Sequence, residues 1–149
     1  MVYKNKLWIT GGDRGSSSYS MLYTTEYITP NGDTLPGPNL PIKLMEHSVI
    51  NVNSTHALVI GGRTYGGSGE PVNKVINTTW YFNHKDQTFT EGPKLNMKRE
   101  GFSVGLMKDS VTKEDLIVIA GGSQGFASRL NSVEILRNGM WQQGIQSVG

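Results

Sequence analysis

The chain has 149 residues, 19 of them glycine, and carries 14 Lys+Arg against 12 Asp+Glu for a formal net charge of +2. It has no cysteine, which excludes disulfides, thiolate nucleophiles and zinc–thiolate sites and fits a reducing compartment. The charges are scattered, so nucleic acid is not favoured as a partner, and no apolar run has the length of a membrane-spanning helix or of an N-terminal signal core.

The first apolar run, Lys6–Thr10, closes on Gly11-Gly12. Strands are expected next at Thr25–Thr29 and Asp33–Leu35, joined through the turn residues Pro30-Asn31-Gly32-Asp33. Only five residues stand ahead of Lys6, so no strand is expected before it. A second set follows: His47–Asn51, then His56–Ile60 closing on Gly61-Gly62, then Asn77–Asn83 and Thr88–Gly92. The third set runs Gly101–Lys108, Leu116–Ala120 closing on Gly121-Gly122, Ser132–Leu136 and Met140–Gln143. Its last two strands flank Asn138-Gly139, a tight hairpin signal. No stretch shows a 3.6-residue apolar period, so the chain reads as all-β.

The three sets are copies of one pattern. The Gly-Gly pairs stand 50 and 60 residues apart, and Glu26, Trp80 and Glu134, at one place in the three second-half strands, stand 54 and 54 apart. Leu35, Phe89 and Trp141 follow in turn, with Gly37-Pro38-Asn39-Leu40 and Gly92-Pro93-Lys94-Leu95 after the first two. The drift lies in polar stretches, Lys108–Asp115 and the glycine-rich segment after Gly62, because loops absorb insertions and strands do not. A period near 50 residues belongs to stacked repeat units rather than to one wound domain.

These residues resemble the kelch repeat over nearly the whole chain, from about Lys6 to Gly144: the Gly-Gly pairs, Asn131-Ser132-Val133-Glu134 with Trp141 after it, and Arg99 ahead of the third set. The first copy departs from the pattern, with Leu44 where the second has Arg99. The resemblance implies part of a β-propeller, in which each blade is a four-stranded antiparallel sheet. Blade one would span about 6–38 and lack its inner strand, blade two about 47–93, and blade three about 101–144. Propellers close with about four to eight blades, and this chain supplies fewer than three complete ones. A fragment of a longer protein, two copies closing one ring, and an open arc all answer that shortage. The missing inner strand favours the fragment.

The glycines Gly11, Gly12, Gly61, Gly62, Gly121 and Gly122 read as structural, because each pair ends a strand where the chain must turn sharply. No helix start follows them, so they are not a phosphate-binding loop. Trp8, Trp80, Trp141, Phe82 and Phe89 read as packing residues, Trp80 the least firmly placed of them. Trp80 stands where the other copies have glutamate, and is expected to be partly exposed or to cover a flank. No catalytic constellation is legible among His47, His56, His84 and the carboxylates, and no metal or cofactor is implied.

In kelch propellers two loop sets ring one face. Carried onto this chain, they hold Arg14, Ser16, Tyr19, Arg63, Tyr65, Gln124, Phe126 and Arg129 after the Gly-Gly strands, and Lys43, Glu46, Lys98, Arg99 and Glu100 ahead of the innermost strands. Arginine and tyrosine are enriched at interface anchors, and arginine forks suit carboxylates. The expected function is therefore protein–protein interaction with a protein or acidic peptide, in the cytoplasm, with self-association to close a ring as a further possibility. The alternative is a fragment of a kelch-fold enzyme, of lyase, epimerase or oxidase type, whose site needs the absent blades.

Overall fold

The computed structural model describes residues 1–15, 20–65 and 74–144. Among these residues every regular element is a strand, and no helix is long and apolar enough to cross a membrane. The first sheet holds β1 (Val2–Tyr3), β2 (Lys6–Thr10), β3 (Thr25–Ile28) and β4 (Thr34–Pro36) in chain order. The second begins with β5 (Ser48–Asn51) and β6 (His56–Ile60). A short ribbon, β7 (Arg63–Thr64) with β8 (Lys74–Val75), is inserted before the sheet resumes with β9 (Thr79–Asn83) and β10 (Thr88–Glu91). The third holds β11 (Ser103–Lys108), β12 (Asp115–Ala120), β13 (Val133–Arg137) and β14 (Met140–Gln143). All pairs are antiparallel.

The first sheet corrects the sequence expectation that it lacks its inner strand. Val2 and Tyr3 pair with Leu7 and Lys6 across the two-residue turn Lys4-Asn5. Both turn residues have positive φ, 45° and 61°, the backbone that two-residue hairpins require and that asparagine tolerates. Asn51 Nδ2 then donates to the Val2 carbonyl at 2.8 Å, and the Tyr3 ring stacks on His84 at 3.6 Å. Five residues thus suffice for a strand of two. The other boundaries move by a residue or two. β9 starts at Thr79 rather than Asn77 because Asn77 is held by the connection to the next sheet: its carbonyl accepts from Leu95 N–H at 2.9 Å and its Nδ2 donates to the Leu95 carbonyl at 3.1 Å.

The second sheet is covered on both faces. Ala57, Leu58, Val59 and Ile60 of β6 are all fully buried, which explains an unbroken apolar run where a one-faced strand would alternate. Ala57 and Val59 turn toward the first sheet, with Trp8 and Phe82 (ring centroids 4.5 Å apart), Leu40, Leu44, Ile76 and Trp80. Leu58 and Ile60 turn toward the third, with Leu95, Phe102, Ile117, Ile119 and Trp141. Each fully buried Leu or Ile contributes roughly 1.5–3 kcal/mol. Of the two expectations for Trp80, partial exposure and cover for a flank, the second is observed: it is 6 % exposed, because Leu44 supplies an apolar partner on the side of the first sheet. Leu35, the counterpart of buried Trp141, is 40 % exposed. On the two outermost faces apolar side chains stay in water: Val2, Leu7 and Ile9 on the first sheet, Met107 and Met140 on the third.

All six Gly-Gly residues have positive φ, from 53° to 106°. The connections between sheets pass against them. Gly12 N–H donates to the Leu44 carbonyl at 2.7 Å, and Gly62 N–H to the Arg99 carbonyl at 2.8 Å.

Candidate interaction surface

β2, β6 and β12 all run toward one end of their sheets, so their Gly-Gly loops and the connections at 37–47 and 92–102 gather there. Of the residues expected on this rim, Arg14, Glu46, Lys98, Phe126 and Arg129 are exposed and Lys43, Tyr65 and Gln124 are half-buried, while Glu100, expected there too, is buried. Ser16 and Tyr19 lie outside the described residues. Phe126 projects fully, with φ of 46°, from the loop that follows β12.

Two arginines are engaged internally. Arg63 forms a two-pronged ion pair with Glu100, a carboxylate only 4 % exposed, and this contact holds the guanidinium above its ordinary pKa. It ties the loop of the second sheet to the connection leading into the third, alongside the backbone bridges Met45–Arg63 and Glu100–Ser123. Arg99 overturns its assignment to the rim: it is fully buried. Its guanidinium donates to Glu134 Oε2 at 2.8 Å, to the Gly121 and Ser132 carbonyls at 2.9 and 3.2 Å, and to Ser132 Oγ at 3.1 Å. Glu134, also fully buried, accepts from the backbone N–H of Asn96 and Met97 at 2.7 and 3.3 Å. The side chain goes inward because the third sheet offers a buried carboxylate and two carbonyls as partners, and an isolated buried charge there is far costlier than a paired one.

Between the ribbon and the 92–102 connection lies a polar cleft of about 540 Å³. Lys74, Lys94 and Lys98 line it together with Asn77, Asn96 and Gln124. All three lysines are exposed, and among the described residues Lys94 and Lys98 form no ion pair. Lys74 and Lys94 were not singled out from the sequence. The signal available was their position, one after a Gly-Gly pair and one inside Gly92-Pro93-Lys94-Leu95. The opposite end carries a smaller hollow of about 320 Å³ lined by Tyr3, Lys4, Lys6, Tyr27, His84 and Gln87. No three His, Asp or Glu side chains converge as a metal site among the described residues.

No protein-family model matches this sequence, and no curated protein matches it. Among solved structures the chain is similar to one titled "Structure of YjhT", with a TM-score of 0.77 at 15 % identity. The match covers 100 % of this chain and 51 % of that one, so this chain spans about half of that structure's length. A likeness at that identity concerns the fold alone.

Beside the rim, His47 reaches across from the start of the second sheet to Thr10 of the first, Nε2 to Oγ1 at 2.7 Å. Burial pushes its imidazole from 6.5 down to about 4. The unfolded chain takes up this proton near pH 6.5 and the native chain resists it. Stability should therefore fall as pH drops from 6.5 toward 4, by about 3 kcal/mol for this group. His84, lowered by burial first and then by its neighbours His56 and Lys4, tilts the curve the same way. Asp13 and Asp109 are held below 3.8 by hydrogen bonds, and their losses fall beneath this window. Thermal melts from pH 7 to 4.5 check it. His47→Gln should flatten the slope, and an unchanged slope would assign it to other groups.

Proposed function

We propose that the chain is three blades of a kelch-type β-propeller and that it works as a protein-interaction module, holding an acidic peptide segment at the Gly-Gly end. The blade reading is supported by three four-stranded antiparallel sheets in one strand order, by the constant 54-residue spacing, and by the way successive first strands touch. Asn51 of β5 bonds Val2 of β1, and Ser48 of β5 bonds the Phe102 carbonyl just ahead of β11.

The observation that carries the function is the concentration of cations around one polar cleft: Lys74, Lys94 and Lys98 on its walls, with Arg129 and the exposed Phe126 on the neighbouring loop. Carboxylates entering the cleft would meet ammonium groups and amide donors, while Phe126 offers an apolar anchor beside them. A rigid sheet scaffold presenting such loops needs no rearrangement to bind.

The test uses a labelled Glu-rich peptide and its Gln counterpart. The acidic peptide should bind, lose affinity as salt rises, and bind about tenfold more weakly to the Lys94→Glu/Lys98→Glu variant. Lys85→Glu, at the opposite end, should leave it unchanged. Equal binding of the neutral peptide, or equal binding by both charge-reversal variants, would dismiss the acidic-partner reading.

A further inference from the structure

One place in the repeat has two solutions in this chain, and the third copy is half-built. In the third sheet the place is filled by Glu134 with Arg99, the arginine arriving on the connection from the preceding sheet. In the second it is filled by Trp80 with Leu44, arriving on the equivalent connection. The register is the same in all three sheets: Glu134 stands opposite Ile119, Trp80 opposite Val59, and Glu26 opposite Ile9. Glu26 has the carboxylate, but it is exposed, and among the described residues it makes no hydrogen bond and no ion pair.

The remaining ligands of the arginine are present too. Gly11 and Thr24 hold the places of Gly121 and Ser132, shown by the same backbone bond from glycine N–H to the Thr24, Thr78 or Ser132 carbonyl. Thr24 keeps a hydroxyl where Ser132 Oγ accepts from Arg99. A second observation marks the same side. A side chain added at Gly62 or Gly122 would strike the connection arriving from the preceding sheet, at Met45 and His47 or at Glu100 and Phe102, whereas at Gly12 it would meet nothing within 4 Å. Val2, Leu7 and Ile9 leave the same face apolar and in water.

We infer that the outer face of the first sheet is a docking face for a further sheet of the same repeat, outside these 149 residues. That sheet delivers an arginine, rather than a leucine, to a socket made by Glu26, Thr24 and the Gly11 carbonyl. The choice of arginine follows from charge: leucine would bury the Glu26 carboxylate unpaired, and arginine pairs it as in the third sheet. This inference rests on the repeat geometry and is independent of what the cleft lined by Lys74, Lys94 and Lys98 binds.

The experiment extends the full chain by a second copy of residues 47–101, fused so that the copied arginine precedes β1 as Arg99 precedes β11. Versions carrying arginine or leucine at that place are melted with Glu26 intact and with Glu26→Trp. The arginine version should melt roughly 5 °C or more above the leucine version with Glu26, and the order should reverse with Glu26→Trp. Melting temperatures that ignore this match would overturn the inference. So would a stable dimer of the unextended chain that buries Glu26, since Ile145–Gly149 after the last sheet brings no arginine.

Discussion

Replacing Arg99 with alanine is expected to lower stability by about 3–5 kcal/mol. The guanidinium is fully buried and makes four hydrogen bonds to the third sheet, while its own carbonyl accepts from Gly62 of the second. One residue therefore joins two sheets. Its removal leaves the Glu134 charge without a counterion, although Asn96 and Met97 still donate to that carboxylate. Removing the charge as well should relieve part of the penalty. The double variant Arg99→Leu/Glu134→Gln should cost less than its two single changes added together, by more than about 1 kcal/mol for groups in direct contact. Urea unfolding of the four proteins gives the comparison. Additive costs would show that the pair does not act as a unit.

Gly62→Ala is expected to cost about 4 kcal/mol, and the same change at Gly12 about 1–2 kcal/mol. Both positions have φ near +100°, 97° and 106°, so both variants bear backbone strain. Only at Gly62 does the new methyl also collide with packed atoms, at 2.7 Å from the Met45 carbonyl and from His47 Cβ. Those atoms belong to a connection clamped by the Met45–Arg63 bridge and cannot move aside cheaply. Gly12 faces open space. Thermal melts of both variants test the difference, and equal losses would mean that strain, not crowding, is the reason for the second glycine.

Most of the strands are legible in the residue order itself, because the apolar runs are short and end in glycine pairs suited to positive φ. β6 shows the strength of that signal: its expected span, His56–Ile60, is the observed one. β1 shows its limit. Two residues carry no periodicity, and what makes Val2–Tyr3 a strand is a two-residue turn and the bond from Asn51, forty-nine positions away. The ribbon of β7 and β8 escapes sequence reasoning for a related reason, since Arg63-Thr64 and Lys74-Val75 are pairs of residues too short to carry a hydrophobic pattern.

The rim is harder to read. Arg99 sits among Lys98, Glu100 and Gly101, a polar neighbourhood that reads as surface. The contrary signal is Leu44, its counterpart: a place that holds leucine in one copy faces the interior in the others. Trp80 against Glu26 and Glu134 is the other half of that signal. Taken singly, these positions leave Trp80 either partly outside or covering a flank and put Arg99 at the rim; taken together, they pair Leu44 with Trp80 and Arg99 with Glu134. For Lys74 and Lys94 the sequence offers only their place in the repeat, and that does not tell that they share a cleft with Lys98.

Composition, the spacing of Glu26, Trp80 and Glu134, and the glycine pairs were enough to establish an all-β chain of three like units, because strand periodicity and turn stereochemistry are local properties of the backbone. Which side chains are buried was decided by packing between sheets. Arg99 goes inward because Glu134 waits on the next sheet, Trp80 is covered because Leu44 reaches it, and Glu26 stays in water because no described residue crosses its face. Burial of that kind depends on what the neighbouring sheet presents, and that contact joins residues tens of positions apart.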